Sequence, residues 1–189
     1  MSFINFLLVY LVDPLLALAL FAVLARLLLQ LTRADFRNPL CQAIVKVTNP
    51  LILPLRRILP PMGKIDTASV VAVLIVAAVR VAAHSFGDEG IGAPFLGSGA
   101  HVALLWASAI AAEVFYMVLW TYFYAIILYA LLSMIAPSGY SPLQSVLATL
   151  CEPVLRPIRR VFPSVAGLDL SPLWAGLIIQ LIIHLPLLF

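Results

Sequence analysis

The chain has 189 residues, 64% of them hydrophobic and 10% charged, with a mean hydropathy of +1.14. Soluble domains are about half apolar and a quarter charged, so a water-soluble fold is excluded and a bilayer is the expected solvent. The net charge of +3 comes from 11 Lys and Arg that sit mostly beside apolar runs, which argues for lipid headgroups and against direct nucleic-acid binding.

The first predicted span covers about residues 3–31. Its N-terminus lacks the basic segment and small-residue cleavage site of a signal peptide, so a retained helix is expected. Asp13-Pro14 interrupts the run, and Pro is expected to kink a helix interior. Arg26 lies late in the run. Asn38-Pro39 then reads as a helix start, because Asn can cap free amides and Pro suits the first turn.

A predicted amphipathic interfacial helix follows over 39–59. At ~100° per residue, Leu40, Ile44, Val47, Leu51, Leu55 and Ile58 fall on one side. Gln42, Lys46, Asn49, Arg56 and Arg57 fall on the other. Pro50 and Pro54 argue for a bent or broken helix. A shallow re-entrant segment is the alternative to lying in the interface. The second span is expected over 67–83, with Asp66 as its N-cap and Arg80 and His84 snorkelling to the far surface.

Residues 84–99 read as an exposed Gly-rich loop without Lys or Arg. The third span is expected over 106–134, after a lead-in that starts at His101, and carries Glu113. A second amphipathic helix is predicted over 142–162, started by Ser141-Pro142. Leu143, Leu147, Leu150, Val154, Ile158 and Val161 form its apolar side. Ser145, Thr149, Glu152, Arg156, Arg159 and Arg160 form its polar side. The last span is expected over 170–189, capped by Asp169.

The segment NPLILPLRRILPPMGKID at Asn49–Asp66 recurs at Glu152–Asp169 as EPVLRPIRRVFPSVAGLD. The copies share Pro50/Pro153, Pro54/Pro157, Arg56/Arg159, Arg57/Arg160, Pro60/Pro163 and Asp66/Asp169. They differ at Gly63/Ala166 and at Ala68-Ser69 against Ser171-Pro172, so the turn before each span is expected to differ. Duplication gives repeat one at 1–100 and repeat two at 101–189. The expected fold is an all-α membrane protein of four transmembrane helices in two parallel repeats, each helix, interfacial linker helix, helix. Lys and Arg concentrate in the linkers, so these are expected in the cytoplasm, with both termini and the middle loop outside. Cys41 and Cys151 then share the reducing side, and no disulfide is expected.

The pattern P-[LV]-[IL]-x-P-[LI]-R-R-x-x-P followed by [IL]-D resembles the YggT family, the YlmG-like bacterial and plastid membrane proteins, in its two-repeat bacterial form. The resemblance covers essentially the whole chain. It implies a multi-pass protein of the bacterial inner membrane, linked to osmotic or ion stress, to division or nucleoid organisation, or to cytochrome assembly. It implies no common chemistry.

Arg56, Arg57, Arg159 and Arg160 are the leading candidates. They can anchor the linker, bind anionic lipid headgroups or an acidic membrane partner, or pair internally with Asp66 and Asp169. Asp13, Arg80 and Glu113 fall in the outer halves of their spans, where a salt bridge is expected and a polar ion path is the alternative. His84, His101 and His184 lack metal-ligand spacing, so no metal is expected, and no cofactor or nucleophile motif occurs. The favoured function is a non-enzymatic membrane accessory protein that is open to self-association. The alternative is a small oligomeric channel or transporter.

Overall fold

The structure, a computed structural model, describes residues 8–59, 66–87, 100–135, 141–161 and 169–185. The Gly63/Ala166 turns, most of the middle loop and the outer ends of the first and last spans lie outside the described residues. Every described element is helical. A π-helical turn at Leu8–Val12 runs into α1, Asp13–Leu31. Then come α2, Pro39–Ile58, and α3, Thr67–Gly87. After them follow α4, Ala100–Ile135, α5, Pro142–Val161, and α6, Ser171–His184.

Three helical segments are long and apolar enough to cross a membrane: Tyr10–Leu31, Thr67–His84 and His101–Ile135. The apolar α6 is shorter, at 14 residues. Only 6% of the apolar window in α4 is buried within the chain. So much outward apolar surface requires a non-aqueous solvent. At 36 residues α4 is also one unbroken helix from Ala100, so the expected lead-in is simply its first turns. Its length of about 54 Å exceeds the ~30 Å hydrocarbon core.

Asp13-Pro14 interrupts the run as expected: the helix changes there from the π-helical turn to α1, and the missing proline amide falls where no preceding α-turn needs it. The linker prolines do not break their helices: α2 and α5 each run unbroken for 20 residues through two prolines. The four-residue spacing explains this. Pro50 and Pro54, like Pro153 and Pro157, lie on one exposed stripe, so the carbonyls that lose their donors lie on the outward side of the helix.

Two compact units divide the chain: Met1–Leu27 with Val47–Met117, and Leu28–Lys46 with Val118–Phe189. In the first, Leu20, Val23 and Leu24 form the buried stripe of α1. On α3 the buried stripe is Ala68, Ser69, Ala72, Val73, Val76 and Ala77, whose small members permit close helix approach. Ile52 of α2 is fully buried.

In the second unit, Leu29, Ala34, Cys41 and Val146 form one apolar cluster with Leu40 and Ile44 packed against it. Helix α5 packs on α6, which buries Ser171, Ala175, Ile179 and Ile183 at four-residue spacing. Both cysteines are free and buried. Burial pushes the Cys151 thiol up to about 12, so it is no nucleophile at neutral pH.

The end of α1 shows how local chemistry sets the chain direction. The Ala34 amide donates to the Leu29 carbonyl at 2.9 Å and the Arg33 amide to the Gln30 carbonyl at 3.1 Å. These two bonds form a Schellman motif, closed by Ala34 and Leu29 in one cluster. Arg33 sits at φ 56°, a left-handed conformation that favours glycine. Arg33→Gly is expected to raise stability by roughly 0.5–1 kcal/mol. Denaturant titration in detergent micelles would read this, and an unchanged or lowered midpoint would contradict it.

The starts of the two linkers follow the capping chemistry. The Asn38 side-chain oxygen accepts the Leu40 amide at 2.9 Å, and its amide donates to the Pro142 carbonyl at 2.7 Å. Ser141 Oγ accepts the Gln144 amide at 3.4 Å, a weaker cap.

Candidate functional site

The amphipathic helices are three-sided, where two sides are expected from the wheel. On α2 the protein-facing side is Cys41, Thr48 and Ile52, all buried. Val47 and Ile58, assigned to the apolar side, are exposed, while Leu40, Ile44, Leu51 and Leu55 are half-buried between the two. The polar residues form the third side. Helix α5 buries Val146, Leu147, Leu150, Cys151 and Leu155 and leaves Val161 exposed.

This arrangement splits each arginine pair. Arg56 turns toward Asp66 and donates to Oδ2 through both Nε, at 3.1 Å, and Nη2. The same oxygen accepts the Ser69 hydroxyl at 2.7 Å. Asp66 immediately precedes α3, and its main-chain carbonyl accepts the Ser69 and Val70 amides. It therefore serves both readings: it sits at the cap position and it ties the linker to the span. Arg57 points outward and is exposed.

Repeat two builds the same lock differently. Arg159 donates to Asp169 at 3.0 Å and to Glu152 at 3.1 Å. Tyr129 lies beside Arg159. Asp169 is not the N-cap, as expected from the sequence. Leu170 holds that position without a side-chain cap, and Asp169, one residue earlier, accepts the Ser171 amide at 2.9 Å. Relative to its aspartate, α6 starts one residue later than α3, at the Ser171-Pro172 pair that repeat one lacks. Partial burial would raise the Asp169 carboxyl, but the bonds from Ser171 and the Arg159 charge outweigh it and hold it below its usual value. Arg160 is exposed, like Arg57.

The span charges meet. Arg80 donates through Nε to Asp13 Oδ1 at 2.8 Å and through Nη1 to Glu113. One guanidinium thus joins α1, α3 and α4. His84 Nε2 lies 2.8 Å from the same Asp13 oxygen, so it is a fourth member rather than a group snorkelling alone. The side chains of Asp13, Arg80 and Glu113 are each about four-fifths covered.

Arg26 is a buried hub that the sequence reading passes over. It is 2% exposed and donates to Thr48 Oγ1 at 2.9 Å and Asn49 Oδ1 at 3.0 Å, binding α1 to α2. The signal is an arginine in an apolar run followed by Thr and Asn on an amphipathic helix. Glu152 and Tyr129 also join the repeat-two lock without having been singled out. Among the described residues no group of three or more His, Cys, Asp or Glu could hold a metal ion.

All-helical architecture, outward apolar surface and charges paired inside apolar helices define a helical membrane protein. The chain belongs to the CCB3/YggT family, whose pattern matches it twice, over residues 5–86 and 108–188. An uncharacterized protein of Pseudomonas aeruginosa is 40% identical over 175 residues, 92% of this chain and 85% of the relative. One from Vibrio alginolyticus is 36% identical over 168 residues, 87% and 84% of the two chains. The uncharacterized protein YggT of Escherichia coli K12 is 31% identical over 175 residues, 93% and 86% of the two. No solved structure matches.

Proposed function

We propose that this protein is a four-span accessory protein of the bacterial cytoplasmic membrane, acting by binding rather than by catalysis. Helices α1, α3, α4 and α6 are its spans, in two parallel repeats. Helices α2 and α5 lie at the cytoplasmic face, and the termini and middle loop lie outside. The two family matches start 103 positions apart, which supports the repeat.

The observation that carries the function is the division of labour within each arginine pair. Arg56 and Arg159 are consumed by the aspartate locks, so they hold the linker against the span. Arg57 and Arg160 are exposed next to exposed Ile58 and Val161, where guanidinium groups chelate the phosphates of anionic lipids. The linkers thereby present a lipid-binding face for membrane assembly, division or envelope-stress tolerance. The Asp13–Arg80–Glu113 cluster closes on itself across three helices, which favours a structural staple over an ion path.

Purification from native membranes with identification of bound lipid tests this. Arg57→Gln with Arg160→Gln is expected to reduce co-purified anionic phospholipid several-fold, at about 1 kcal/mol per basic residue near an anionic surface. The same lipid content in variant and parent protein would overturn the assignment.

A further inference from the structure

In a duplicated chain, a contact made in one sense between the repeats leaves two unused counterparts, one on each repeat. The contact that is made lies within the second compact unit. Leu29 and Ala34, at and beyond the end of α1, meet Cys41 of α2 and Val146 of α5 in one buried cluster. Across the same seam the Asn38 side-chain amide donates to the Pro142 carbonyl at 2.7 Å. One turn further along α5, Leu150 is 6% exposed, and Leu28, next to Leu29, is 8% exposed. Repeat one thus contributes the end of its first span, and repeat two contributes a stripe of its linker.

The counterparts of both halves are open. The linker stripe of repeat one, 103 positions back from Val146 and Leu150, is Ala43 and Val47. Both are exposed, Val47 at 70%. The span end of repeat two, 103 positions on from Leu24 and Leu28, is Ile127 and Leu131. These are 39% and 49% exposed, whereas Leu24 and Leu28 are buried. With Met134 and Leu173 they wall a groove of about 650 Å³ between the C-terminal third of α4 and the start of α6. Each chain therefore keeps one uncovered linker stripe and one uncovered span end, on different repeats. Two faces that match each other, and not themselves, make a head-to-tail contact between copies.

We infer that the chain assembles head-to-tail with copies of itself. The Ala43 and Val47 stripe of α2 in one copy seats in the α4–α6 groove of the next, as α5 seats on the end of α1 within the chain. Ala43 is smaller than Val146 and lets the helix backbones approach closely, the kind of packing that associates helices in lipid. Because the repeats are oriented alike, successive copies turn about the membrane normal and the contact closes as a ring, a reading that rests on the parallel repeats and not on the lipid contacts proposed for Arg57 and Arg160. A lipid chain would fill the groove but would leave the matching linker stripe uncovered.

The test uses the full-length protein in native membranes. Val47→Cys and Leu131→Cys, each in a Cys41→Ala, Cys151→Ala background, are co-expressed with different tags and joined by a short, membrane-permeant bis-maleimide. A mixed dimer linked from position 47 to position 131 is expected, and none from either position to itself. Val47→Glu in the otherwise unaltered chain is expected to convert the assembly, sized in lipid nanodiscs, to monomer. Position 47 is exposed within the chain, so its folding does not depend on the valine. Leu131→Trp, which fills the groove from the other side, is expected to do the same and serves if Val47→Glu does not fold. A monomeric parent, cross-links of each position to itself in place of 47 to 131, or an undiminished assembly in Val47→Glu would overturn the inference. Arg57→Gln with Arg160→Gln is expected to leave the cross-link unchanged, so the two proposals fail separately.

Discussion

Replacing Arg80 by methionine is expected to lower stability by about 3 kcal/mol, as for removal of one partner from a buried ion pair. The substitution leaves Asp13 and Glu113 as two carboxylates brought together by three packed helices, with only His84 to offset them. In an apolar surrounding, two unneutralised carboxylates repel and neither recovers its hydration. Denaturation in mixed micelles, followed by circular dichroism, measures the loss. The triple replacement of Asp13 by Asn, Arg80 by Met and Glu113 by Gln is expected to restore most of it, because the loss comes from the orphaned charges and not from a missing attraction. A single Arg80→Met variant as stable as the parent would show that the cluster is solvated in the membrane and bears no structural load. A destabilised triple variant would assign the stability to the ion pairs themselves.

The two aspartate locks are expected to respond unequally although the motif that contains them is shared. Asp66→Ala removes two bonds from Arg56 and one from the Ser69 hydroxyl at a carboxylate that is 8% exposed. Charge-assisted bonds to a covered carboxylate put the expected loss at about 2–3 kcal/mol. Asp169→Ala removes an ion pair whose partners are 34% and 42% exposed, and Arg159 keeps Glu152. Its expected loss is below about 1 kcal/mol, as for other solvent-screened pairs. The same micelle titration compares the two variants directly. Equal losses would mean that the difference in burial does not set the strength of the locks.

Much of the fold is legible from one-dimensional chemistry. Apolar runs set the three long spans, and Asn38-Pro39 and Ser141-Pro142 start both linkers where a missing amide and a capping oxygen are best tolerated. The repeated Pro-Arg-Asp string marks the lock residues, because their spacing recurs at a fixed offset. The linker prolines leave both helices unbroken for a local reason. A proline is judged to break a helix only if the carbonyl it orphans is buried, and the wheel could not say which stripe faced outward. On α2 hydrophobicity likewise does not separate residues left exposed, such as Val47 and Ile58, from those buried in the protein, such as Ile52.

By itself, the sequence determined the solvent, the helical class, the duplicated lock residues and the family, because each depends on composition or on spacing along the chain. Only the tertiary structure decided which charges meet. It brought Asp13 and Glu113 onto the Arg80 guanidinium and His84 onto Asp13, and it paired Arg56 with Asp66 while leaving Arg57 exposed. It also left Asp169 open where Asp66 is covered. Burial and partner choice depend on residues that neighbour each other in space, and in a membrane, where apolar surface is tolerated on every side, local hydrophobic pattern carries little information about them.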